Sequence, residues 1–574
     1  MDTAGPLWTL KLDGGLVPPR DLIGGKAWSL AQMCAIGLRV PAAFVITTQA
    51  CAAYLRNNEL PAQLRAQIDA AIGWLEEQSN RRFGAGPRPL LVSVRSGASV
   101  SMPGMMDTVL NLGINDETEQ MLAGECGDPE FARDTHQRFL EMYRKIVLKG
   151  DTGAPVPQAL RDQLYAAIEA VFRSWNSPRA RRYRAHHGIS NDLGTAVTVQ
   201  AMVFGNADER SGTGVLFTRN PATGSAEIYG EYLHRAQGEA IVSGTHTPEP
   251  LDGMRTRVGE AMDELLRAAR QLEDLHQDVQ DIEFTVERGR LYLLQSRSAK
   301  RSPQAAVRIA VQMVSEGRID PDEALCRISP EQVRMLLRPR IAPAVVHSAK
   351  VLLRGEAASP GVGVGTVVGS ADEAESRGNS GEAVVLSCST TSPEDLHGLI
   401  AAQATITELG GSTSHAAVVA RALGKPCVVG CGAGTLQTLL TQTVTVDGNT
   451  GTIYADVLPL EIQREAADAD LAQLIAWAAE RSAIRVETAA PAGVDVIDFD
   501  HLARMGEPGG LARALELIPP GSSVRGALFA QDDIAAEAAV RAGVTLIVTS
   551  PRLPALLVCM RTQRSGSAQH DTTL

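Results

Sequence analysis

The stretch DIEFTVERGRLYLLQSR, residues 281–297, alternates apolar and polar side chains before Arg288-Gly289 and again after it as far as Leu293. A two-residue period does not gather one apolar face on a helix, whose period is 3.6. It commits this part of the chain to two antiparallel strands turning at the glycine. Alternate side chains of a strand share a face, so Asp281 stands beside Glu283 and Gln295 beside Arg297, and the hairpin sets the two pairs side by side. Carboxylates hold Mg2+ and a guanidinium pairs with phosphate oxygens, so this set suits a magnesium nucleotide. A solvated sheet face with cross-strand ion pairs accounts for the same residues, and spacing alone does not decide between the two.

At 574 residues the chain is too long for one hydrophobic core, and about 100–200 residues per domain implies roughly three to five units. Residues 1–115 open with a short strand, Gly24-Gly25-Lys26 and an apolar-periodic helix, and close with a buried strand and a Gly/Ser-rich loop. Helical spacing dominates from about 116 to 192, and β-rich segments run from Ala196 to the hairpin. Residues 301–350 read as short capped helices, a connector rather than a domain. From Ala358 the composition turns to glycine, valine and serine, with a hairpin turning at Asn449. After about 480 an alanine-rich tail shows one clear helix-to-strand unit, DDIAAEAAVRAGVTLIVTS. The class is mixed α/β and α+β, multidomain.

A net charge of −12 without a Lys/Arg block offers no electrostatic footprint for nucleic acid or anionic lipid. No apolar run approaches membrane-spanning length, and MDTAGPLWTLKLDGG lacks a basic and apolar leader, so the expectation is a cytoplasmic protein without nucleic-acid or membrane partners. The eight cysteines form no CxxC pair. Cys427 and Cys431 find no second pair to complete a zinc set, which leaves free thiols.

The segment GGSTSHAAVVARALGKPCVVG, residues 410–430, places one imidazole after three hydroxyl residues and before a run of helix formers ending at Gly424. Ser412, Thr413 and Ser414 are natural N-caps and Gly424 a natural C′ residue, so His415 falls in the first turn of a helix. The free N–H groups and dipole there favour an anion, and an imidazole so placed resists protonation and can attack phosphorus. A capping histidine is the alternative. Gly24-Gly25-Lys26 lacks P-loop spacing, with Arg20 and Ala27 where glycine and Ser/Thr are needed. Arg95 ends the buried run LLVSV and leads into Ser96, Gly97 and Ser101, a candidate anion nest, and Arg219 likewise follows a strand. Either arginine also fits a structural ion pair.

Taken together, GGKAWSLAQM, LLVSVRSGASVSMPGMMDTVLNLG, SGTGVLFTRNPATG, YGEYL, AQGE, DIEFTVERGRLYLLQSR, ASPGVGVGTVV, TSPEDL and the His415 segment resemble, in order, the pyruvate, phosphate dikinase family. The form SVRSGASVSMPGMMDTVLN is similar to the phosphate-using dikinase rather than the water-using synthase. The resemblance implies an ATP-grasp nucleotide-binding domain at 1–300 with a helical subdomain at about 116–192. It further implies a helical connector at 301–350, a swivelling β/α phosphohistidine domain at 351–480 and a short α/β tail at 481–574. It implies that Lys26, Arg95, Glu283, Gln295 and Arg297 bind ATP and that Asp281, Glu283 and Gln295 hold Mg2+. His415 would receive the β,γ-diphosphoryl group, pass the γ-phosphoryl to inorganic phosphate and keep the β-phosphoryl. Thr413 matches a regulatory phosphorylation position of plant relatives. Leu409 and Ser412 depart from the arginine and methionine usual in the family. AIRVETAAP at 483–491 resembles the entry to the family's pyruvate-binding (β/α)8 barrel, a fold of about 250 residues, whereas 94 residues follow position 480. The expectation is therefore a phosphotransferase whose final acceptor is pyruvate on a separate barrel protein, or another small molecule. A catalytically silent nucleotide-binding homologue is the alternative.

Overall fold

Five strands pair antiparallel in the order Thr9–Lys11, Ala43–Ile46, Ala196–Ala201, Val92–Gly97, Thr108–Leu112. The computed structural model describes residues 7–570 apart from 101, 103, 152–153, 238–247, 338–339, 462–463, 500–514 and 516–517. Ser101 of the candidate nest and Gly238 and Glu239 of AQGE thus lie outside the described residues. Helices Asp116–Cys126, Pro129–Ile146 and Leu160–Ser174 share this sheet's core, with Leu122, Phe139 and Ile168 buried beside Val92, Val94 and Val199.

A second antiparallel sheet has the order Arg290–Ser298, Gln280–Glu287, Gly212–Phe217, Tyr229–His234, Glu249–Pro250. Helix Arg20–Ala35 joins the two sheets. Its Ile23, Ala27 and Leu30 share one core with Ala43 and Val45 of the first sheet and Ile282, Phe284 and Leu291 of the second. The helix kinks at Gly24 (φ 75°, ψ 161°), a conformation essentially reserved for glycine. The Gly25 N–H donates to the Ala98 carbonyl at 2.8 Å, which presses the kink against the end of strand Val92–Gly97.

Residues 351–455 form an eight-stranded mixed sheet, ordered Val351–Arg354, Thr452–Ala455, Thr443–Asp447, Val362–Val368, Val384–Cys388, Ala404–Thr407, Cys427–Val429, Glu356–Ser359. Its four central strands, from Val362–Val368 to Cys427–Val429, run parallel. Parallel neighbours need crossovers, and helix His415–Leu423 is one of them. Ala416, Ala417 and Ala420 are small enough to seat that helix closely on Ala358, Cys427 and Val429.

The tail carries four parallel strands ordered Arg485–Glu487, Leu546–Val548, Ser523–Arg525, Ile497–Asp498. The connector helices Pro303–Ser315, Pro321–Arg327 and Pro330–Leu336 are capped by Ser302, Asp320 and Ser329. Their Val307, Leu325 and Val333 are buried in one core with Leu474, Val524, Ile547 and Leu556. Connector and tail therefore stand on a common core, because helices of 7 to 13 residues bury too little surface to persist alone.

A Cβ at Gly24 would lie 1.8 Å from the Gly97 carbonyl oxygen. Gly24→Ala is expected to destabilise the N-terminal sheets by at least about 2 kcal/mol, from backbone strain and forced separation, read as a lowered midpoint in urea.

Candidate active site

The hairpin turns at Arg288 and Gly289, both with positive φ. With that turn and unbroken pairing, Gln295 would oppose Ile282 and face the core. The pairing instead shifts by one residue between Leu293 and Gln295, so Gln295 opposes Glu283 and Arg297 opposes Asp281. The β-bulge at Leu294 reverses the alternation: Leu291 and Leu293 remain in the core with Phe284 and Val286, while Gln295 and Arg297 move to the carboxylate face. Arg297 Nε donates to Asp281 Oδ2 at 2.8 Å, and its Nη2 lies 4.0 Å from Glu283.

Two further cations join this face. Arg95 lies within strand Val92–Gly97 rather than in the loop beyond it, with Nη2 3.6 Å from Glu283 Oε2. The kink at Gly24 carries Lys26 into the same group as a half-buried helical side chain, not as a surface turn lysine. Burial, then the Arg95 charge, push its ammonium down to about 7, with Glu283 opposing and Arg297 adding to the shift. Burial also pushes the Asp281 carboxyl up against the pull of Arg297. All six candidates on this side thus converge. Asp281 Oδ1 is buried without a hydrogen-bond partner, and Glu283 and the buried Gln295 stand beside it. Among the described residues no group of three or more His, Cys, Asp or Glu could hold a metal ion. Two carboxylates and an amide form the kind of partial oxygen shell that Mg2+ completes with substrate phosphates.

His415 is the first residue of its helix, which Gly424 ends in the left-handed conformation. The N-cap is Ser414, but its side chain makes no capping bond and its hydroxyl is buried without a partner. The N-cap position thus falls on one of the three hydroxyl residues, without a side-chain capping bond, and the other two hydroxyls are engaged by Glu231 of strand Tyr229–His234. Glu231 accepts from Ser412 N at 3.1 Å, from Ser412 Oγ at 2.9 Å and from Thr413 Oγ1. The ring of His415 takes a hydrogen bond with the Ser392 backbone, and Nε2 is buried and unpartnered, so the Ser392 bond belongs to Nδ1. A donor Nδ1–H leaves the lone pair on Nε2. Burial lowers the ring pKa below its ordinary value, opposed by Asp395 and the Ser392 bond, so the site favours the neutral ring.

The eight-stranded module is docked on the N-terminal sheets on both sides of this ring. On one side Tyr229 bonds Glu356 and Ser412, and Ser412 N also donates to Glu356 at 3.2 Å. On the other, Gly104 packs against Pro393, and Leu396 against the cluster that contains Met102, Met105 and Trp175. Tyr229, Glu231 and Glu356 were not singled out in the sequence. The signal was present in YGEYL, whose acid falls on a strand position with a buried side chain. Arg219 takes the structural alternative: it is buried and bonds Glu273 at 2.9 Å and Glu316 at 2.8 Å, tying the second sheet to the connector.

A family model described as the pyruvate phosphate dikinase AMP/ATP-binding domain matches residues 20–81, 58–258 and 255–318. Another, the mobile domain of PEP-utilising enzymes, matches 380–451. A pyruvate, phosphate dikinase of Clostridium symbiosum is 40% identical over 556 residues, covering 87% of this chain and 63% of its own length. Pyruvate, phosphate dikinase 1, chloroplastic, of Zea mays is 42% identical over 513 residues, covering 80% and 54%. The Rhizobium meliloti (strain 1021) pyruvate, phosphate dikinase is 40% identical, covering 83% and 60%. The chain spans between about half and two thirds of the length of these curated relatives.

Glu231 holds the loop before His415 through three hydrogen bonds, and bonds to a charged group contribute about 1.5–3 kcal/mol each. Glu231→Ala is expected to shift the docked population by more than about tenfold, seen as a larger radius of gyration in solution scattering. An unchanged scattering curve would count against this contact as the clasp.

Proposed function

The chain belongs to the pyruvate, phosphate dikinase family, and from that premise we propose that it is an ATP-dependent phosphotransferase working through His415. The observation that carries this reading is the buried, unpartnered Nε2 of His415, between two contacts that dock its module on the N-terminal half of the chain, where Lys26, Arg95, Asp281, Glu283, Gln295 and Arg297 converge. In this reading residues 1–300 are an ATP-grasp nucleotide-binding domain, 351–480 a swivelling phosphohistidine domain, and 301–350 the connector between them.

Lys26, Arg95 and Arg297 bind the phosphate chain of ATP, and Asp281, Glu283 and Gln295 hold its magnesium. Bound Mg2+ neutralises charge on the phosphates and aligns them. The Nε2 lone pair attacks the β-phosphorus, AMP leaves, and the ring carries a diphosphoryl group. An oxygen of inorganic phosphate then attacks the γ-phosphorus, pyrophosphate leaves, and phospho-His415 remains. The cations offset the charge that accumulates on the bridging and leaving oxygens in each step. Unloading needs the histidine domain to leave the Glu231 contact and meet an acceptor, pyruvate or another small molecule. Thr413 fits a regulatory role, since a phosphate on its hydroxyl would face the Glu231 carboxylate and exclude the loading position.

Two outcomes test this reading. The full chain given magnesium, β-labelled ATP and inorganic phosphate is expected to gain an acid-labile label with release of AMP and pyrophosphate, and His415→Ala is expected to gain none. Labelling of His415→Ala at the native rate would remove the histidine from the mechanism. The second concerns pH. Lys26 is charged below about 7 in the free protein, and phosphate favours the charged form, so ATP binding at pH 8 takes up a proton. Affinity is expected to fall as pH rises above 7, by at most about tenfold per unit, and calorimetric enthalpies to vary with buffer ionisation heat. Lys26→Met is expected to weaken binding and flatten this dependence.

A further inference from the structure

Arg421 sits on helix His415–Leu423, nearly two turns beyond the histidine, and is 3% exposed. Its Nη1 donates to the Ala358 carbonyl at 2.8 Å. Nε and Nη2 are buried with no partner, and no described carboxylate forms an ion pair with the group. Burying a guanidinium in this state is costly, because desolvation is offset at only one of its three nitrogens. The alanines around it pack the helix without help from a long polar side chain.

The surroundings say what the charge faces. Strand Glu356–Ser359 bonds Tyr229 through Glu356 and Arg421 through Ala358, which sets the guanidinium at the junction of the two modules. Asp281, Tyr229 and Glu231, all from the second N-terminal sheet, act on it electrostatically, together with Cys427 of its own module. Asp281 also has an unpartnered buried oxygen, Oδ1. Nε and Nη2 form one edge of the guanidinium, two parallel N–H groups spaced to meet two oxygens of a phosphate.

We propose that Arg421 is a phosphate-binding residue supplied by the histidine module to the nucleotide site: when the module is docked, Nε–H and Nη2–H donate to oxygens of a magnesium polyphosphate held against Asp281. This rests on the reading of residues 281–297 as the magnesium-ATP face. The contact exists only in the docked arrangement, so nucleotide binding and docking favour each other by the same factor. A swing of the module away removes the cation from the nucleotide site and loosens whatever phosphate remains there.

The test compares Arg421→Met and Arg421→Lys with the native full chain, measuring magnesium-ATP binding by calorimetry, thermal midpoint and His415 labelling. Methionine fills the space without an unpaired charge, so Arg421→Met is expected to melt at or above the native temperature. It is expected to bind magnesium-ATP about tenfold or more weakly and to label about a hundredfold more slowly. Arg421→Lys is expected to lie between. Native affinity and labelling in Arg421→Met would overturn this proposal alone, as would a fall in melting temperature that Arg421→Lys repairs together with binding, since that is a packing role. A native chain that binds no magnesium-ATP would overturn the nucleotide reading as well.

Discussion

One buried carboxylate decides which parts of this molecule face each other. Glu231 belongs to the second N-terminal sheet by sequence and to the His415 loop by hydrogen bonding, since Ser412 and Thr413 fill its acceptor positions. Burial raises its pKa, the hydroxyl and amide donors oppose that shift, and Glu356 across the junction adds to it. A carboxylate in this position is stable only while the loop stays in place to donate to it. The docked arrangement and the satisfaction of Glu231 are therefore one condition, and a module that leaves must rehydrate the acid it uncovers.

The same logic of charges held in company governs the hairpin face. Lys26, Arg95 and Arg297 crowd one another, and Asp281 and Glu283 offset only part of that positive charge. The consequence is visible in Lys26, whose ammonium is held down to about 7 by burial and by its cationic neighbours. The helix kink at Gly24 and the strands already fix these donors, which is the preorganisation that the proposed magnesium-nucleotide role requires.

Much of this was legible in the chain alone. Period-two alternation around Arg288-Gly289 specifies the hairpin, and a run of helix formers between His415 and Gly424 specifies the helix and its ends. Both are local properties, set by side-chain periodicity and by the backbone freedom of a single glycine. The hydroxyls before His415 were legible as polar donors but not as partners of Glu231, since their acceptor lies 181 residues away in sequence. Nor was it legible that the connector and tail share a core, because the apolar faces of short helices do not name what they pack against.

What the sequence by itself determined was the inventory: a polar strand pair, an imidazole at a helix start, and a lysine beside two glycines. Tertiary structure alone decided which of these come together. A one-residue bulge at Leu294 turns Gln295 and Arg297 from the core face to the face of Asp281 and Glu283, and the docking of a distant loop on Glu231 sets the residues just before His415 against the second N-terminal sheet. The adjacent Leu293 and Leu294 interrupt the two-residue pattern there, but only the partner strand's register decides which face each later side chain takes. A buried carboxylate selects its donors only after both modules have folded.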